Sequence, residues 1–293
     1  MFSIIICSIS LKRLETLQVN IVKTIGTSCE FIAIDNSQKR WPIAKVYNYG
    51  AKRAKYPYLF FVHEDVKFHS SQWGGRIIEK LKEVDCGVIG FAGSKIRINC
   101  FAGWCQGEEY NVSSLLQGLP GGDIELRLIN ANHLFEEVVT LDGLGLFVRK
   151  DVWEKHPFDE KLLTDFHCYD IDFTLQIALA GFRNYVCCSD KVRVEHFSLG
   201  NFNGQWFSTT MRCHKKWEKF LPIYASDVLL DREKIKCYEE DFSYDFLRRI
   251  FLSDASRADL WLALKEFWKR PVSKRHMQHC IFYTWKYLFQ MKY

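Results

Sequence analysis

The chain has 293 residues, of which 48% are hydrophobic and 15% aromatic, so it can bury a large core and is not globally disordered. Its net charge of +5 is uneven, because residues 261–293 carry seven Lys and Arg against one Glu. Positive charge confined to one end, without a recognisable binding module, argues against a nucleic-acid partner, and no run approaches the roughly 20 apolar residues of a membrane helix, which predicts a soluble cytoplasmic protein.

Short apolar runs alternate with helical patterns in the N-terminal half. The predicted strands span 2–8, 31–37, 58–62 and 87–93, and helices are predicted over 11–25 and about 42–54. Strands that are apolar on both faces and separated by helices are typical of a mostly parallel sheet with helices on both sides. Ligands of such sheets collect at the carboxyl ends of the strands. Several polar residues stand at those ends: Ser8, Asp35, Asn36, His63, Glu64 and Asp65.

The second half of the chain begins with a Gly-rich segment, 101–122, that is predicted to be irregular. A strand follows over 137–153 with Asp142-Gly143 in its middle, then a helix over 167–182 and a strand that ends at His196. Beyond Pro222 the pattern changes to charged helical segments. We therefore predict a domain over 1–221 and a C-terminal helical appendage over 222–293.

Two common nucleotide-binding motifs are missing. A dinucleotide-binding fold needs Gly-x-Gly-x-x-Gly between its first strand and helix, but here that junction is Cys7-Ser8-Ile9-Ser10-Leu11, without a glycine. The sequence also lacks a P-loop. The expected sheet is Rossmann-like but is not that of a dehydrogenase or a P-loop enzyme.

Six stretches in order resemble the motifs of GT-A-fold glycosyltransferases of the family 2-like group, and most of all its bacterial "glycosyltransferase-like" subgroup with a His-x-x-Tyr-Asp-x-Asp element. They are FIAIDNS, YNYGAKRAKYPYLFFVHEDV, VVTLDGLGLFVRKDVW, PFDEKL, HCYDIDFTLQIALAGFRNYV and VEHFSLG. The resemblance covers about residues 2–215. It implies a GT-A fold and sugar transfer from a nucleotide diphosphate sugar such as a UDP-sugar to an acceptor hydroxyl, with inversion by direct displacement. The implied setting is bacterial surface polysaccharide or lipid-linked glycan assembly.

The resemblance also assigns residues to the donor side of the site. The family's metal-binding Asp-x-Asp element corresponds to His63-Glu64-Asp65, so Asp65 is the expected cation ligand, with His63 and His196 beside it. The expected cofactor is a divalent cation, Mn²⁺ or Mg²⁺. Because His63 stands where the family has its first Asp and imidazole suits Mn²⁺ better than Mg²⁺, the identity of the metal and the need for one both stay open. The implied nucleotide and donor contacts are Ser8, Asp35, Asn36, Asn48 and Glu64.

On the acceptor side, the family's catalytic base corresponds to Asp170. Asp142, Asp172 and Trp104 are the other expected acceptor-side residues. Each of these assignments has a plain structural alternative. Asp-Gly is a common turn, aspartates favour helix N-termini, and a tryptophan can simply fill the core.

Two other functions remain open. The first is a catalytically inactive protein that binds nucleotide sugars or serves in assembly, which the replacement of an expected aspartate by His63 favours. The second is a nucleotidyltransferase, which normally has a Gly-rich loop that carries Arg or Lys after the first strand; residues 8–13 contain no glycine.

The basic tail is also rich in aromatic residues: Trp261, Phe267, Trp268, Phe282, Tyr283, Trp285 and Phe289. Such a segment can lie on an anionic membrane, which would place the protein peripherally at the inner face of the membrane. The alternative is an amphipathic helix pair that packs on the main domain.

Overall fold

A computed structural model describes residues 1–119, 121–197, 200, 202–229, 231–269 and 273–289. The strands are β1 (Phe2–Ser8), β2 (Cys29–Asp35), β3 (Tyr58–Val62), β4 (Val66–Phe68), β5 (Cys86–Gly90), β6 (Ala92–Ser94), β7 (Ile96–Arg97), β8 (Asn111–Gly118), β9 (Ile124–Ile129), β10 (Phe135–Val138), β11 (Thr140–Leu141), β12 (Gly145–Arg149), β13 (Arg183–Cys187), β14 (Val194–His196) and β15 (Ile223–Tyr224). The helices are α1 (Leu11–Thr24), α2 (Ile43–Ala51), α3 (Trp73–Leu81), α4 (Lys150–Lys155), α5 (Tyr169–Leu179), α6 (Gly204–Trp217), α7 (Arg232–Ile250), α8 (Arg257–Trp268) and α9 (Lys274–Phe289).

The described residues form a central sheet of seven strands in the order β10-β13-β5-β12-β3-β1-β2. The pairs β1–β2, β1–β3 and β13–β5 are parallel, while β12 and β10 run antiparallel to their neighbours. The predicted mostly parallel sheet is confirmed.

Helices cover both faces of this sheet, because its strands are apolar on both sides. One hydrophobic cluster joins the sheet to α2 and α5, and a second joins it to α1 and α3. Ile4 and Ile5 show the alternation, since these successive residues of β1 belong to different clusters and are both fully buried. Each such side chain contributes about 1.5–3 kcal/mol to stability.

A second sheet of described residues has the order β11-β6-β8-β14-β4, with β9 paired to β8. Its strand β4 begins four residues after β3 of the central sheet ends. The chain between them, His63–Asp65, therefore lies where the two sheets meet.

Three local predictions were wrong. The predicted strand 87–93 is divided between β5 in the central sheet and β6 in the second sheet. Residues 137–153 do not form one strand, because β11 pairs with β6 in the second sheet whereas β12 pairs with β3 and β5 in the central sheet. Asp142–Leu144 is the crossing between the sheets, and residues 150–155 form α4. The segment 101–122 is not irregular throughout, since Asn111–Gly118 forms β8, which pairs with the following strand β9 and with β6 and β14.

The C-terminal helices pack on the end of the main fold. Phe207 and Met211 of α6 share a hydrophobic cluster with Leu247 of α7, Leu264 of α8 and Cys280 of α9. No described helix is long and apolar enough to cross a membrane. The division after residue 221 remains a prediction, and residues 270–272 and 290–293 of the tail lie outside the described residues.

Candidate active site

Three potential metal ligands converge just beyond β3. His63 Nδ1 lies 4.0 Å from Asp65 Oδ1, and His196 Nε2 lies 3.8 Å from the same oxygen. One ligand atom of each residue lies within 4.8 Å of the others. Among the described His, Cys, Asp and Glu residues, no other group of three meets this distance.

Strand pairing explains how His196 reaches residues more than 130 positions earlier. β14 runs antiparallel to β4, with His196 paired to Val66. Because Val66 directly follows Asp65, this register sets the histidine beside the carboxylate. The amide of Phe197 donates to the carbonyl of Asp65 at 3.2 Å and holds the pairing at this point.

A hydrogen-bond chain selects the tautomer of His63. The Tyr169 hydroxyl donates to the carbonyl of Gly143 at 2.9 Å, and it lies 2.6 Å from His63 Nε2. Since the phenol has one proton, which goes to Gly143, His63 Nε2 carries a hydrogen and donates to Tyr169. Burial lowers the pKa of His63 against the opposing effect of Asp65. The ring is therefore neutral, with an unprotonated Nδ1 that faces Asp65.

The chemistry of this donor set fits a divalent cation. A neutral imidazole with its other nitrogen held by a hydrogen bond is a typical metal ligand. Two imidazole nitrogens with one carboxylate suit Mn²⁺ better than Mg²⁺. Asp65, His63 and His196 are thus the residues that could hold the ion.

Two carboxylates, those of Asp142 and Asp170, lie around Gly143. Asp170 Oδ2 accepts a hydrogen bond from Gly143 N at 3.0 Å, and Asp142 Oδ1 accepts one from Leu144 N at 2.9 Å. Asp142 acts electrostatically on His63, Tyr169 and Asp170. The two carboxylates and the three potential ligands therefore share one site.

Asp170 has the protonation behaviour of a general base. Burial and, to a smaller extent, the neighbouring Asp142 carboxylate raise the pKa of Asp170 to about 7, against the opposing effect of backbone hydrogen bonds from Ile171 and Gly143. A carboxylate whose pKa lies near neutrality can accept a proton and still be ionised before the reaction. Its place in the first turn of α5 directs it toward Gly143.

Ser8 and Glu64 meet at the turn between β1 and α1. Glu64 Oε2 accepts hydrogen bonds from Ser8 Oγ at 2.7 Å and from the backbone amides of Ile9 and Ser10 at 3.1 Å. In other nucleotide-binding folds, the amides at such a helix start hold a phosphate. Here the buried Glu64 carboxylate occupies them, so a phosphate could use them only if Glu64 moved.

Asp35 and Asn36 follow β2 at the outer edge of the central sheet. Asp35 is exposed, and hydrogen bonds from the hydroxyl and amide of Ser37 lower its pKa. Asn36 is buried and exchanges two hydrogen bonds with the backbone of Trp41, so it shapes the loop. Both residues are expected nucleotide contacts. Of the two, Asp35 is the one whose side chain faces solvent.

Three further predicted site residues also have structural partners. Asn48 donates to Phe158 O and Glu160 Oε1 and accepts from Trp153 Nε1 and Phe158 N, so no amide hydrogen-bonding position is left for a ligand. We therefore leave Asn48 out of the site. The other two are Asp172 and Trp104.

Asp172 points away from Asp170 and ties α5 to α6. It accepts hydrogen bonds from Trp217 Nε1 at 2.8 Å and from Lys216 Nζ at 3.0 Å, and only 1% of its surface is exposed. Trp104 is half-buried and packs against both hydrophobic clusters of the central sheet. Asp172 thus joins two helices through hydrogen bonds, and Trp104 contributes to the hydrophobic packing.

One residue of the site, Tyr169, was not predicted from the sequence. Tyr169 belongs to the His-x-x-Tyr-Asp-x-Asp element and directly precedes Asp170. Its position next to Asp170 was the feature of the sequence that could have indicated it. The contact with His63 depends on how the strands pair, which the local pattern does not specify.

Comparisons with known proteins give the family and the fold of the chain. The sequence matches the family described as "Glycosyltransferase like family" over residues 3–217. A comparison with curated proteins gives no match. The similar solved structures include "Crystal structure of S. aureus TarS", with a TM-score of 0.53 and 15% identity over 94% of this chain and 50% of that chain.

They also include "Crystal structure of GalNAc-T7 with UDP, GalNAc and Mn2+", with a TM-score of 0.51 and 10% identity over 85% of this chain and 56% of that chain. The present chain spans about half the length of these two proteins. At such identities the likeness concerns the fold alone. The chain belongs to the glycosyltransferase-like family and has the α/β fold of GT-A glycosyltransferases.

Proposed function

We propose that this protein transfers a sugar from a nucleotide diphosphate sugar to an acceptor hydroxyl, with inversion by direct displacement. One observation carries the proposal: the Asp65–His63–His196 donor set shares a site with Asp170, a carboxyl whose pKa lies at about 7. The reaction needs both a group that balances the departing diphosphate and a base for the acceptor.

Different residues act on the donor and on the acceptor. A divalent cation held by Asp65, His63 and His196 would neutralise the charge of the departing diphosphate. His63 is oriented for this role by Tyr169, and Asp65 is held between the two histidines. Asp35 faces solvent at the sheet edge and is the proposed contact for the nucleotide.

Asp170 acts on the acceptor. Its carboxylate takes the proton of the acceptor hydroxyl while that oxygen forms a bond to the anomeric carbon. The bond from the anomeric carbon to the diphosphate oxygen breaks on the opposite side, so the configuration inverts and a nucleoside diphosphate leaves. Asp142 supports the reaction because its charge helps to keep the pKa of Asp170 raised.

We further propose a UDP-sugar as donor and a surface glycan or lipid-linked glycan as acceptor, on the cytoplasmic side. The support for UDP and Mn²⁺ is the structure of GalNAc-T7, which contains both, together with the two histidines of the donor set.

A second candidate is a nucleotide-sugar-binding protein without turnover. The observation in its favour is that Glu64 fills the amides at the start of α1, while His63 replaces an acidic residue of the family's motif. Such a protein would bind the donor but would release no nucleoside diphosphate.

Thermal-shift titrations with UDP, GDP and their sugars, with and without Mn²⁺, test the proposal. We expect a Mn²⁺-dependent shift for one nucleotide that Asp65→Ala loses and Asp170→Asn keeps. Release of nucleoside diphosphate by the wild type, abolished in Asp170→Asn, would distinguish the enzyme from the binding protein. A shift that ignores Mn²⁺ and Asp65 would refute the metal role.

A further inference from the structure

The last helix, α9, is apolar on two opposite faces. One face packs against α7 and α8 through Cys280 and Tyr283, which are 0% and 5% exposed. The other face is open: Ile281, Leu288 and Phe289 are 61%, 60% and 62% exposed. A helix that only packed on the domain would have a polar outer face.

The exposed apolar residues form one continuous stripe. Positions 281, 285 and 288 follow helical spacing and lie on the same side of α9. Trp285 in the middle of the stripe is 48% exposed, and Phe282 beside it is 50% exposed. We call these five residues, Ile281, Phe282, Trp285, Leu288 and Phe289, the α9 stripe. Trp261 of α8, also 50% exposed, has a ring contact of 5.5 Å with Tyr287 of α9.

The charges on α9 itself have one sign, and Arg275 at its start lies 3.8 Å from Asp241 of α7. Within Lys274–Phe289 the charged side chains are Lys274, Arg275 and Lys286, and this segment has no Asp or Glu. The whole tail, 261–293, carries seven basic residues and one Glu. An apolar stripe with Trp and Phe, flanked by cations, has the composition of a helix that lies in the interface of an anionic membrane.

We propose that the α9 stripe docks the protein on an anionic lipid surface, with the stripe in the interface and the flanking cations on the lipid headgroups. Side-chain exposure shows which part of the tail can contact lipid. Phe267 and Tyr283 are buried in the helical packing, whereas the α9 stripe is exposed to solvent. A second copy of the chain is a poorer occupant, because a dimer through α9 would bring two sets of cations together without a carboxylate on either helix. The proposal does not depend on the catalytic assignment.

Vesicle sedimentation tests the proposal with the full chain. Wild type is mixed with phosphatidylcholine vesicles that contain or lack phosphatidylglycerol, and it is compared with the double variant Ile281→Glu/Trp285→Glu. We expect binding only to the anionic vesicles, weaker at high salt, and at least a roughly tenfold loss of the partition coefficient in the variant. Trp emission should shift to shorter wavelength on binding.

The matched control is Val84→Glu/Leu134→Glu, which adds the same charge at residues that are 85% and 65% exposed on the main domain. It should bind vesicles like the wild type. Equal binding by the α9 variant would overturn the proposal. So would a wild-type dimer that ignores lipid and becomes a monomer in the α9 variant. Nucleotide thermal shifts of all variants should be unchanged, which keeps this test separate from that of the catalytic site.

Discussion

The contact between Tyr169 and His63 yields the sharpest prediction for the metal site. Tyr169→Phe removes one hydroxyl and keeps the ring in place. The hydroxyl lies 2.6 Å from His63 Nε2 and donates to Gly143 O at 2.9 Å. Without it, nothing in this chain of contacts prevents His63 from placing its hydrogen on Nδ1, the nitrogen that faces Asp65.

The expected magnitude follows from the loss of one orienting hydrogen bond on a ligand. Changes of this kind lower metal affinity about 10- to 100-fold, which corresponds to about 1.4–2.8 kcal/mol in binding free energy. Nucleotide affinity measured without metal should not change, because Tyr169 is buried behind the site rather than at its surface.

Electron paramagnetic resonance titration of Mn²⁺ measures this affinity directly and needs no acceptor. The control is Tyr47→Phe, since Tyr47 is fully buried, its ring lies 5.6 Å from that of Tyr169, and the side chain that is hydrogen-bonded to His63 is Tyr169 rather than Tyr47. It should keep the wild-type Mn²⁺ affinity. Equal affinities for wild type and a folded Tyr169→Phe protein, checked by circular dichroism, would refute the assignment of His63 as an oriented ligand.

Other predictions concern the acidic residues. Asp170→Asn should lower turnover roughly 10²- to 10⁴-fold with unchanged UDP affinity, and a smaller effect in a product-release assay would exclude Asp170 as the base. Wild-type kcat/KM should rise with pH and level off above about 7, where Asp170 is ionised; a flat profile across this range would contradict the role. Because the folded state raises this pKa, it binds more protons than the unfolded state, so stability falls as pH rises toward 7. Asp170→Asn should therefore stabilise the fold more at pH 8 than at pH 4, as measured by urea unfolding. Asp172→Ala breaks the contacts with Lys216 and Trp217 and should cost about 1.5–3 kcal/mol of unfolding free energy at unchanged Mn²⁺ affinity, whereas a selective loss of activity would show an acceptor-side role.

Much of the fold could be predicted because the signals are local. Apolar runs such as Tyr58–Val62 mark buried strands, and the alternation with helical patterns indicates a parallel sheet. The strand ends then place Asp65 and Ser8 at one edge of that sheet. The prediction of one strand over 137–153 was wrong for a related reason. Apolar residues lie on both sides of Asp142-Gly143, but the chain changes sheets at Asp142–Leu144.

Side-chain partners could not be read from the same patterns. Asn48, Glu64 and Asp172 are polar residues in motifs, and the sequence alone does not distinguish a ligand contact from an internal hydrogen bond. Their partners Phe158, Ser8 and Trp217 lie 110, 56 and 45 residues away. Only a folded chain shows that the amide of Asn48 is saturated.

The sequence by itself determined the class of fold, the family motifs and the basic aromatic character of the tail, because these depend on residue type and short-range periodicity. The tertiary structure alone decided that His196 joins Asp65 through the β4–β14 register, that Tyr169 orients His63, and which face of α9 is open. These features arise from contacts between segments far apart in the chain, and such contacts are set by the packing of the whole fold rather than by any local pattern.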